Sequence, residues 1–398
     1  MKKVKDDDWF TIAVLFQIIT SIVQLILPLI GYMNEEQAAR LRVVVTVVTF
    51  VPAIVLLLLH HTKGLTLSFA FYFIFLIFNY TVYPDSEQFI KSSQAWTLTP
   101  IAILTALCMY NIRDYDRFWK LLLYAGRLSA VLAVIYLVAF LQSPYRGLGL
   151  YNMHFGYSLL LPMLYLFTCS NVIDKLLSIL MLGIVLILGS RGSAGMAFFF
   201  YMLYLIFYSR NTIGKLFIPM LIIIPIAVSQ IPKFIDVESS RTVALIMSGE
   251  VATHDSGRNE IYKIVEQKIS EQPITGWGIG ADRAFMDTYA HNFFLELTLH
   301  YGFIVATLII FFIFVCLVRG LKPIRACKIG GWIFIVMLTF YGLLPLFVSS
   351  SYLIDYKFAT FIGVLLSTFR TNYHVVLNQS RLLKPSHQLV KSKYTHIM

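Results

Sequence analysis

Long apolar runs separated by short polar segments make up most of the chain between residues 10 and 369. A helix needs about 20 residues to cross a hydrocarbon core ~30 Å thick. The runs therefore predict about twelve transmembrane helices, because they lack the alternation typical of barrel strands. The predicted spans cover residues 10–30, 43–59, 65–83, 95–110, 128–141, 157–169, 176–188, 194–208, 216–228, 300–318, 331–348 and 353–369. The fold class that follows is an all-α polytopic membrane protein.

One polar segment, residues 229–290, is far longer than the other loops and contains helical patterns of its own. Residues 240–247 are one candidate helix. A second begins at Arg258 and ends before Pro273, and its apolar residues recur at the spacing of an amphipathic helix. These residues are Ile261, Ile264, Val265 and Ile269. We expect this apolar face to lie on the membrane or on the helix bundle, with Lys263, Glu266 and Gln267 in water.

The pattern divides the chain into four parts. Residues 1–228 form an N-terminal transmembrane bundle, and residues 229–290 form the long extracytoplasmic loop. Residues 291–369 form the C-terminal transmembrane helices, and residues 370–398 form a basic cytoplasmic tail. The first apolar run lacks a small-residue cleavage site, so we interpret it as a retained span.

Composition supports the membrane class. Hydrophobic residues make up 58% and charged residues 13% of the chain, and the mean hydropathy is +0.74. A soluble globular protein carries about 25% charged residues. None of the four cysteines lies in the long loop, so we expect neither a structural disulfide nor a cysteine metal site there.

The distribution of lysine and arginine predicts the orientation. If the N-terminus is cytoplasmic, the inner loops and the two termini contain twenty of these residues and the short outer loops contain five. Cytoplasmic loops carry an excess of Lys and Arg, so both termini are expected to be cytoplasmic and the long loop to face outward. The net charge of +11 fits a tail that faces anionic lipid, and it requires no nucleic-acid partner.

Arg191 and Arg258 are two candidate anion ligands on the predicted outer side. Arg191 lies in a tight GSRGS turn between two spans, where an ionisable residue is either functional or a surface arginine that ends a helix. Arg258 opens the amphipathic helix, where a cation opposes the helix dipole unless an anion docks there. The alternative for Arg258 is a surface ion pair with Glu260 or Asp255.

His291 is the candidate acid-base residue. It precedes the tenth predicted span, and we expect a helix that continues from His291 into the membrane. On such a helix, Asn292 and Glu296 share a face and Asp287 reaches His291 from one turn earlier. Asp287 or Glu296 would then orient an imidazole with an ordinary pKa of about 6.5. The alternative is a polar residue that only begins a helix.

Asn292, Glu296 and Asp287 are also candidates for substrate contact. Two further outer segments are candidates for the same role. Arg146 and His154 lie in another predicted outer loop, within the sequence YRGLGLYNMHFGY. Gly276 and Gly278 belong to GWGIG, which resembles a nucleotide fingerprint but follows no buried strand. We interpret GWGIG as a turn that returns the chain to the membrane.

Three elements in order resemble the O-antigen ligase and O-antigen polymerase superfamily. The first is Ser-Arg-Gly at residues 190–192, after an apolar span, and the second is Gly257-Arg258 followed by Tyr262. The third is Gly-x-Gly at residues 276–278, followed by the His-Asn-x-x-x-Glu sequence of residues 291–296 and by Gly302. Together they cover about residues 185–320, whereas the N-terminal half matches only as a run of spans.

This resemblance implies a glycosyltransferase of the GT-C-like type that acts at the outer face of the cytoplasmic membrane of a bacterium. The donor would be a glycan on undecaprenyl diphosphate, transferred by a metal-independent inverting reaction that needs no cofactor. Arg191 and Arg258 would stabilise the departing diphosphate, and His291 would activate the acceptor hydroxyl. Membrane lipids and a chain-length regulator are the other partners implied.

Polymerase and ligase differ only in the acceptor. A polymerase transfers to the sugar of another lipid-linked repeat unit, and a ligase transfers to lipid A core or another acceptor. The modest loop without a lipid A platform favours an O-antigen or capsule polymerase. A lipid-oligosaccharide flippase is a third hypothesis, supported by Asp355 and Lys357 in the last span.

Overall fold

The computed structural model describes residues 6–113, 115–142, 153–207, 258–326 and 330–367. These residues form helices and loops, with no strand among them. The helices are α1 (Asp6–Leu29), α2 (Glu35–His60), α3 (Thr62–Val82), α4 (Glu87–Lys91), α5 (Thr99–Asn111), α6 (Tyr115–Gln142), α7 (Met153–Thr168), α8 (Val172–Ile187), α9 (Arg191–Phe207), α10 (Arg258–Glu271), α11 (Ala281–Met286), α12 (Phe293–Ala326), α13 (Gly330–Leu338) and α14 (Tyr356–Ser367). Short 3-10 or π-helical turns occupy Pro84–Ser86, Gln94–Leu98, Thr339–Leu343 and Leu344–Phe347.

The all-helical class predicted from the apolar runs is confirmed. Each predicted span overlaps a described helix except residues 216–228, which lie outside the described residues together with the candidate helix 240–247 and the tail 370–398. Within the part of the chain that the structure describes, five helical segments are long and apolar enough to cross a membrane, namely α1, α2, α3, Arg117–Gln142 of α6 and Phe293–Arg319 of α12. The protein is thus a multi-pass membrane protein, while the total of twelve spans and the four-part division stay predictions.

Helix α7 lies at the centre of the bundle. All its residues from Phe155 to Thr168 are buried, and a helix that is apolar on every side has to be surrounded by other helices. Helices α3 and α12 are peripheral, since large apolar side chains such as Phe71, Ile74 and Phe311 remain exposed on them. In a membrane these exposed side chains face lipid or a partner helix.

The loops predicted to share the cytoplasmic side do meet at one end of the bundle. Asp8 forms a salt bridge with Arg117, and His60 Nδ1 lies 2.5 Å from an Asp6 carboxylate oxygen. The backbone N–H of Arg113 donates to an Asp7 carboxylate oxygen at 3.2 Å. These contacts join the start of α1 to two loops from the same predicted set.

The loops predicted to lie outside also meet one another. The Tyr83 hydroxyl donates to the Thr275 carbonyl at 3.3 Å, and Gln88 Nε2 donates to Asp287 Oδ1 at 3.1 Å. The two sets of loops therefore separate as the alternation of cations predicts. Which end is cytoplasmic remains a prediction.

Cysteine labelling tests that orientation. Lys263 in α10 and Lys63 in α3 are both exposed, and they belong to the predicted outer and inner sets. In a variant without the natural cysteines, we expect a membrane-impermeant maleimide to label Lys263→Cys on spheroplasts and to label Lys63→Cys only after membrane lysis. The reverse pattern would contradict the orientation.

Candidate functional site

Helix α10 lies against the start of α12. Its buried residues Val265 and Ile269 pack on Ala290 and Leu299, while Lys263, Glu266 and Gln267 on the opposite face are exposed. The helix begins at Arg258 and ends before Pro273, as its sequence pattern predicts. The amphipathic helix therefore lies on the bundle, as the sequence predicts.

The glycine-rich segment docks into a break in α12. Gly302 has φ 73° and ψ 171°, so the helix is interrupted there. Around this break the backbone N–H groups of Trp277 and Gly278 donate to the carbonyls of Leu299 and His300 at 2.8 and 3.0 Å. Such bonds satisfy carbonyl groups that an interrupted helix leaves without a partner. A continuous helix from His291 through this span, as we expected from the sequence, is therefore wrong.

Gly276 and Gly278 are needed for this docking. Both have positive φ, and a Cβ on Gly276 would lie 2.6 Å from backbone atoms of His300 and Gly302, which is too close for atoms that are not bonded. GWGIG is a turn packed on a helix, which agrees with our interpretation of it. Its role in substrate binding stays a prediction.

His291 lies just before α12 rather than on it. The helix begins at Phe293, and the Asn292 side-chain oxygen accepts hydrogen bonds from the N–H groups of Phe294 and Leu295 at 3.0 and 3.3 Å. His291 itself has φ 53°, a left-handed conformation that costs a residue other than glycine about 1 kcal/mol. Because Asn292 caps the start of the helix, His291 precedes the helix. Its imidazole therefore does not lie on the helix face that the sequence predicted.

The imidazole of His291 packs against the ring of Tyr289, with the ring centroids 4.2 Å apart. Its Nδ1 atom is buried and has no hydrogen-bond partner among the described residues. Asp287 does not orient it, because the Asp287 carboxylate accepts from Gln88 instead. The predicted contact between Asp287 and His291 is therefore wrong. Asp287 has a left-handed backbone (φ 55°) that ends α11, so the two residues do not lie one turn apart on a single helix.

His291 is neutral at physiological pH. Burial and then the positive charge of Arg258 lower the pKa of His291 to about 4, and the Asp282 carboxylate opposes them only in part. Arg258 thus lies close enough to act on the imidazole. A neutral imidazole with an unpartnered nitrogen can accept a proton or a hydrogen bond.

Arg191 and Arg258 occupy equivalent positions, each as the first residue of its helix. Neither guanidinium group has a hydrogen-bond or salt-bridge partner among the described residues, and both residues are half-buried. The alternative pairing of Arg258 with Glu260 is therefore not formed, and Asp255 lies outside the described residues. Each arginine is a cation at the positive end of a helix dipole, an arrangement that favours an anion at these positions.

Contacts connect the start of α9 to the His291 loop. Helix α9 packs against the turn Leu344–Phe347, and the carbonyl of Ser349, just beyond that turn, accepts a hydrogen bond from the Tyr289 hydroxyl at 2.8 Å. The Tyr289 ring in turn packs on His291. The structure thus brings together the regions of Arg191, Arg258 and His291, which are far apart in sequence.

A buried ionic cluster lies directly beneath this loop. It consists of Asp282, Arg283, Glu296 and His300, all buried, and it was not identified from the sequence. Arg283 Nη1 lies 2.6 Å from Asp282 Oδ1 and 3.3 Å from Glu296 Oε1, and His300 Nε2 lies 3.0 Å from Asp282 Oδ1. The signal in the sequence was the presence of ionisable residues beside and within a predicted span, which usually indicates partners.

Asp282 is ionised in this cluster. Burial alone would raise the pKa of Asp282, but the charges of His300 and Arg283 outweigh it and lower the pKa to about 2. The donor atoms of Asp282, Glu296 and His300 lie within 4.8 Å of one another, a spacing that a metal ion could bridge. The Arg283 guanidinium already contacts both carboxylates and supplies the positive charge that such an ion would supply.

The remaining candidates lie in different surroundings. Glu296 is fully buried and bonds to Arg283 and Ser351, and one of its carboxylate oxygens has no partner among the described residues. His154 is exposed in the first turn of α7, and Arg146 lies outside the described residues. Substrate contact by any of them, or by Asn292 and Asp287, stays a prediction.

Asp355 and Lys357, which kept the flippase hypothesis open, form an ion pair at the start of α14. Lys357 Nζ lies 3.0 Å from Asp355 Oδ2, and the Lys357 N–H donates to Asp355 Oδ1 at 2.8 Å. The neighbouring loop residue Ser351 contacts Arg283 at 2.9 Å, so this pair lies at the same end of the bundle as the site. An ion pair at a helix end differs from the mid-membrane charges typical of transporters.

Comparison with known proteins adds a family match. Residues 176–312, about a third of the chain, match the family model described as O-antigen ligase. No curated protein sequence matches the chain. The matched segment contains Arg191, Arg258 and His291, so the resemblance to the O-antigen ligase and O-antigen polymerase superfamily is confirmed.

Proposed function

We propose that this protein is a polymerase of O-antigen or capsule-type polysaccharide. The donor is a glycan on undecaprenyl diphosphate, and the acceptor is the sugar hydroxyl of another lipid-linked repeat unit. The matching family indicates ligase-type or polymerase-type activity on lipid-linked glycans. The finer choice of polymerase rests on the modest outer loop, in which nothing suggests a lipid A platform. Ligation to lipid A core or to another acceptor is the second candidate.

The observation that carries this proposal is an unpartnered arginine, Arg258, near a neutral histidine, together with a second unpartnered arginine, Arg191, at the start of α9. Arg191 and Arg258 each open a helix, so an unpartnered guanidinium group and the positive end of a helix dipole favour the same type of ligand, an anion such as a diphosphate. Breaking a sugar–phosphate bond leaves negative charge on the diphosphate. Cations that are already fixed where this charge develops stabilise the transition state without a metal ion.

His291 is the proposed base for the acceptor. The acceptor hydroxyl oxygen attacks the anomeric carbon, and its proton moves to the imidazole of His291. The bond from the anomeric carbon to the phosphate oxygen breaks, and its electron pair stays on the undecaprenyl diphosphate. Attack opposite the leaving group inverts the anomeric configuration, which is the stereochemical course that we propose.

The pH dependence of transfer follows from the pKa of His291. Because the base must be neutral, activity falls as the pH drops through that pKa. In the free protein the pKa of His291 is about 4, because burial and then the charge of Arg258 lower it. A bound diphosphate compensates the charge of Arg258 and so raises the pKa. The acid limb of kcat/KM, which reports the free protein, is therefore expected at lower pH than the acid limb of kcat, which reports the donor complex.

Purified protein with lipid-linked donor allows this measurement. The variant Lys263→Gln, which removes an exposed cation from the same helix as Arg258, serves as the control and should leave both limbs in place. Coinciding limbs near pH 6.5 would contradict the assignment, because an imidazole whose pKa is lowered neither by burial nor by Arg258 titrates there.

Surface glycans of a deletion strain test the function itself. A polymerase leaves surface core capped by single repeat units, a ligase leaves unmodified core, and a flippase leaves no lipid-linked repeats on the outer leaflet. Purified protein should then extend lipid-linked repeats without core lipid. Transfer only to lipid A core would replace the proposal by the ligase, and a lack of outward-facing donor would replace it by the flippase.

A further inference from the structure

Two hydrogen bonds hold the residues that precede His291. The backbone N–H of Ala290 donates to Asp282 Oδ2 at 3.1 Å, and the Tyr289 hydroxyl donates to the Ser349 carbonyl at 2.8 Å. The first bond comes from a residue eight positions earlier and the second from a residue 60 positions later. The two residues before His291 are therefore held by two different segments of the chain.

The backbone of His291 needs such ties. Its left-handed φ of 53° is unfavourable for histidine, and conformations of this kind persist only where the surroundings fix them. On its C-terminal side, Asn292 fixes the chain as the cap of α12. On its N-terminal side, the hydrogen bonds of Ala290 and Tyr289 fix the chain and so determine where the imidazole lies.

Asp282 is itself fixed by the buried ionic cluster. Its Oδ1 atom contacts Arg283 Nη1 at 2.6 Å and His300 Nε2 at 3.0 Å, which leaves Oδ2 for Ala290. Arg283 is held in turn by Glu296 at 3.3 Å and by Ser351 Oγ at 2.9 Å. A carboxylate bonded on both oxygens and without exposure to solvent has a single available orientation.

We propose that Asp282 and Tyr289 are positioning residues for His291, and that Glu296 supports Asp282 through Arg283 rather than contacting substrate. This inference rests on the proposed function, because it assigns these residues to the transfer for which His291 is the base. It also changes the role of Glu296, whose carboxylate the sequence presented as a substrate ligand. None of the three residues touches the reacting atoms.

A double-mutant cycle separates positioning from general structural support. In purified protein, Asp282→Asn is expected to lower kcat by about 10 to 100-fold, because a displacement of about 1 Å at a reacting group can cost 10²-fold. Tyr289→Phe removes one hydroxyl and should lower kcat about 3 to 10-fold. The KM for the lipid-linked donor should stay within about twofold in both variants, since the arginines are untouched.

The same substitutions are then made in the His291→Gln background. If Asp282 and Tyr289 act through His291, each should lower the remaining activity by no more than about twofold there, because coupled residues are non-additive. If the Asp282→Asn variant does not fold, the Tyr289→Phe variant still tests the proposal. The Tyr289→Phe substitution leaves no buried charge unpaired, so we expect this variant to fold. Glu266→Gln, which changes an exposed carboxylate on α10, is the matched control and should behave like wild type.

Equal losses in both backgrounds would overturn the positioning role, and so would a raised donor KM with unchanged kcat. No transfer by the wild-type protein would overturn the proposed function and this inference with it. Transfer by the wild type with additive variants would overturn the inference alone. Thermal unfolding of each variant shows whether the compared proteins are equally folded.

Discussion

Replacing His291 by alanine or by glutamine is expected to lower transfer from a lipid-linked donor by about 10² to 10⁴-fold, the usual contribution of a general base. The physical reason is that a neutral imidazole accepts a proton, whereas a glutamine amide only forms hydrogen bonds. The measurement is single-turnover transfer by purified protein with saturating donor, so that donor binding does not limit the rate.

His291→Asn separates chemistry from backbone strain. Asparagine adopts a left-handed φ more readily than most residues, so this variant keeps the conformation observed at residue 291. We expect it to fold like the wild type and to be as impaired as the glutamine variant. Near-normal turnover by the glutamine variant would show that residue 291 only positions substrate, and the base would then have to be sought elsewhere.

Removing either arginine is expected to have an effect of similar size. Arg191→Ala or Arg258→Ala should abolish glycan extension at normal protein abundance, because a single donor aimed at developing negative charge contributes about 10² to 10³-fold. Lysine at either position should be at least partly defective, since it keeps the charge but lacks the planar fork that binds a phosphate through two bonds. Glycan chain lengths on gels and transfer by purified protein measure the loss.

Arg40→Ala is the matched control for the arginine series. Arg40 is exposed on the same predicted side and pairs with Glu36 one turn earlier in α2, so its loss should leave chain lengths unchanged. Wild-type chain lengths in both the Arg191 and the Arg258 alanine variants would contradict the leaving-group assignment. A defect in the Arg40 variant of the same size would show that net outer charge, rather than these two positions, is what matters.

The sequence by itself determined the class of protein and the position of most helices. Apolar runs of near membrane length fix helices, because a backbone in lipid has to satisfy its hydrogen bonds internally. It also identified the start of α10 at Arg258 and its exposed face, since these depend on local spacing and on a nearby proline. Arg191, Arg258 and His291 were found as separate elements, and the family match confirms the resemblance that they carry.

Only the tertiary structure decided how these elements relate. His291 lies outside the helix and away from Asp287, because Asn292 caps the start of α12. Gly302 breaks α12 further along, and backbone N–H groups of the docked loop donate hydrogen bonds to the carbonyl groups near this break. Asp282 and Arg283 are adjacent in the sequence, but the contacts of Asp282 with His300 and of Arg283 with Glu296 and Ser351 appear only once distant segments meet. The spacing of residues in the sequence predicts which side chains share a face of one helix. A broken helix, a left-handed residue and a buried ion pair depend instead on contacts between distant segments, which no local pattern contains.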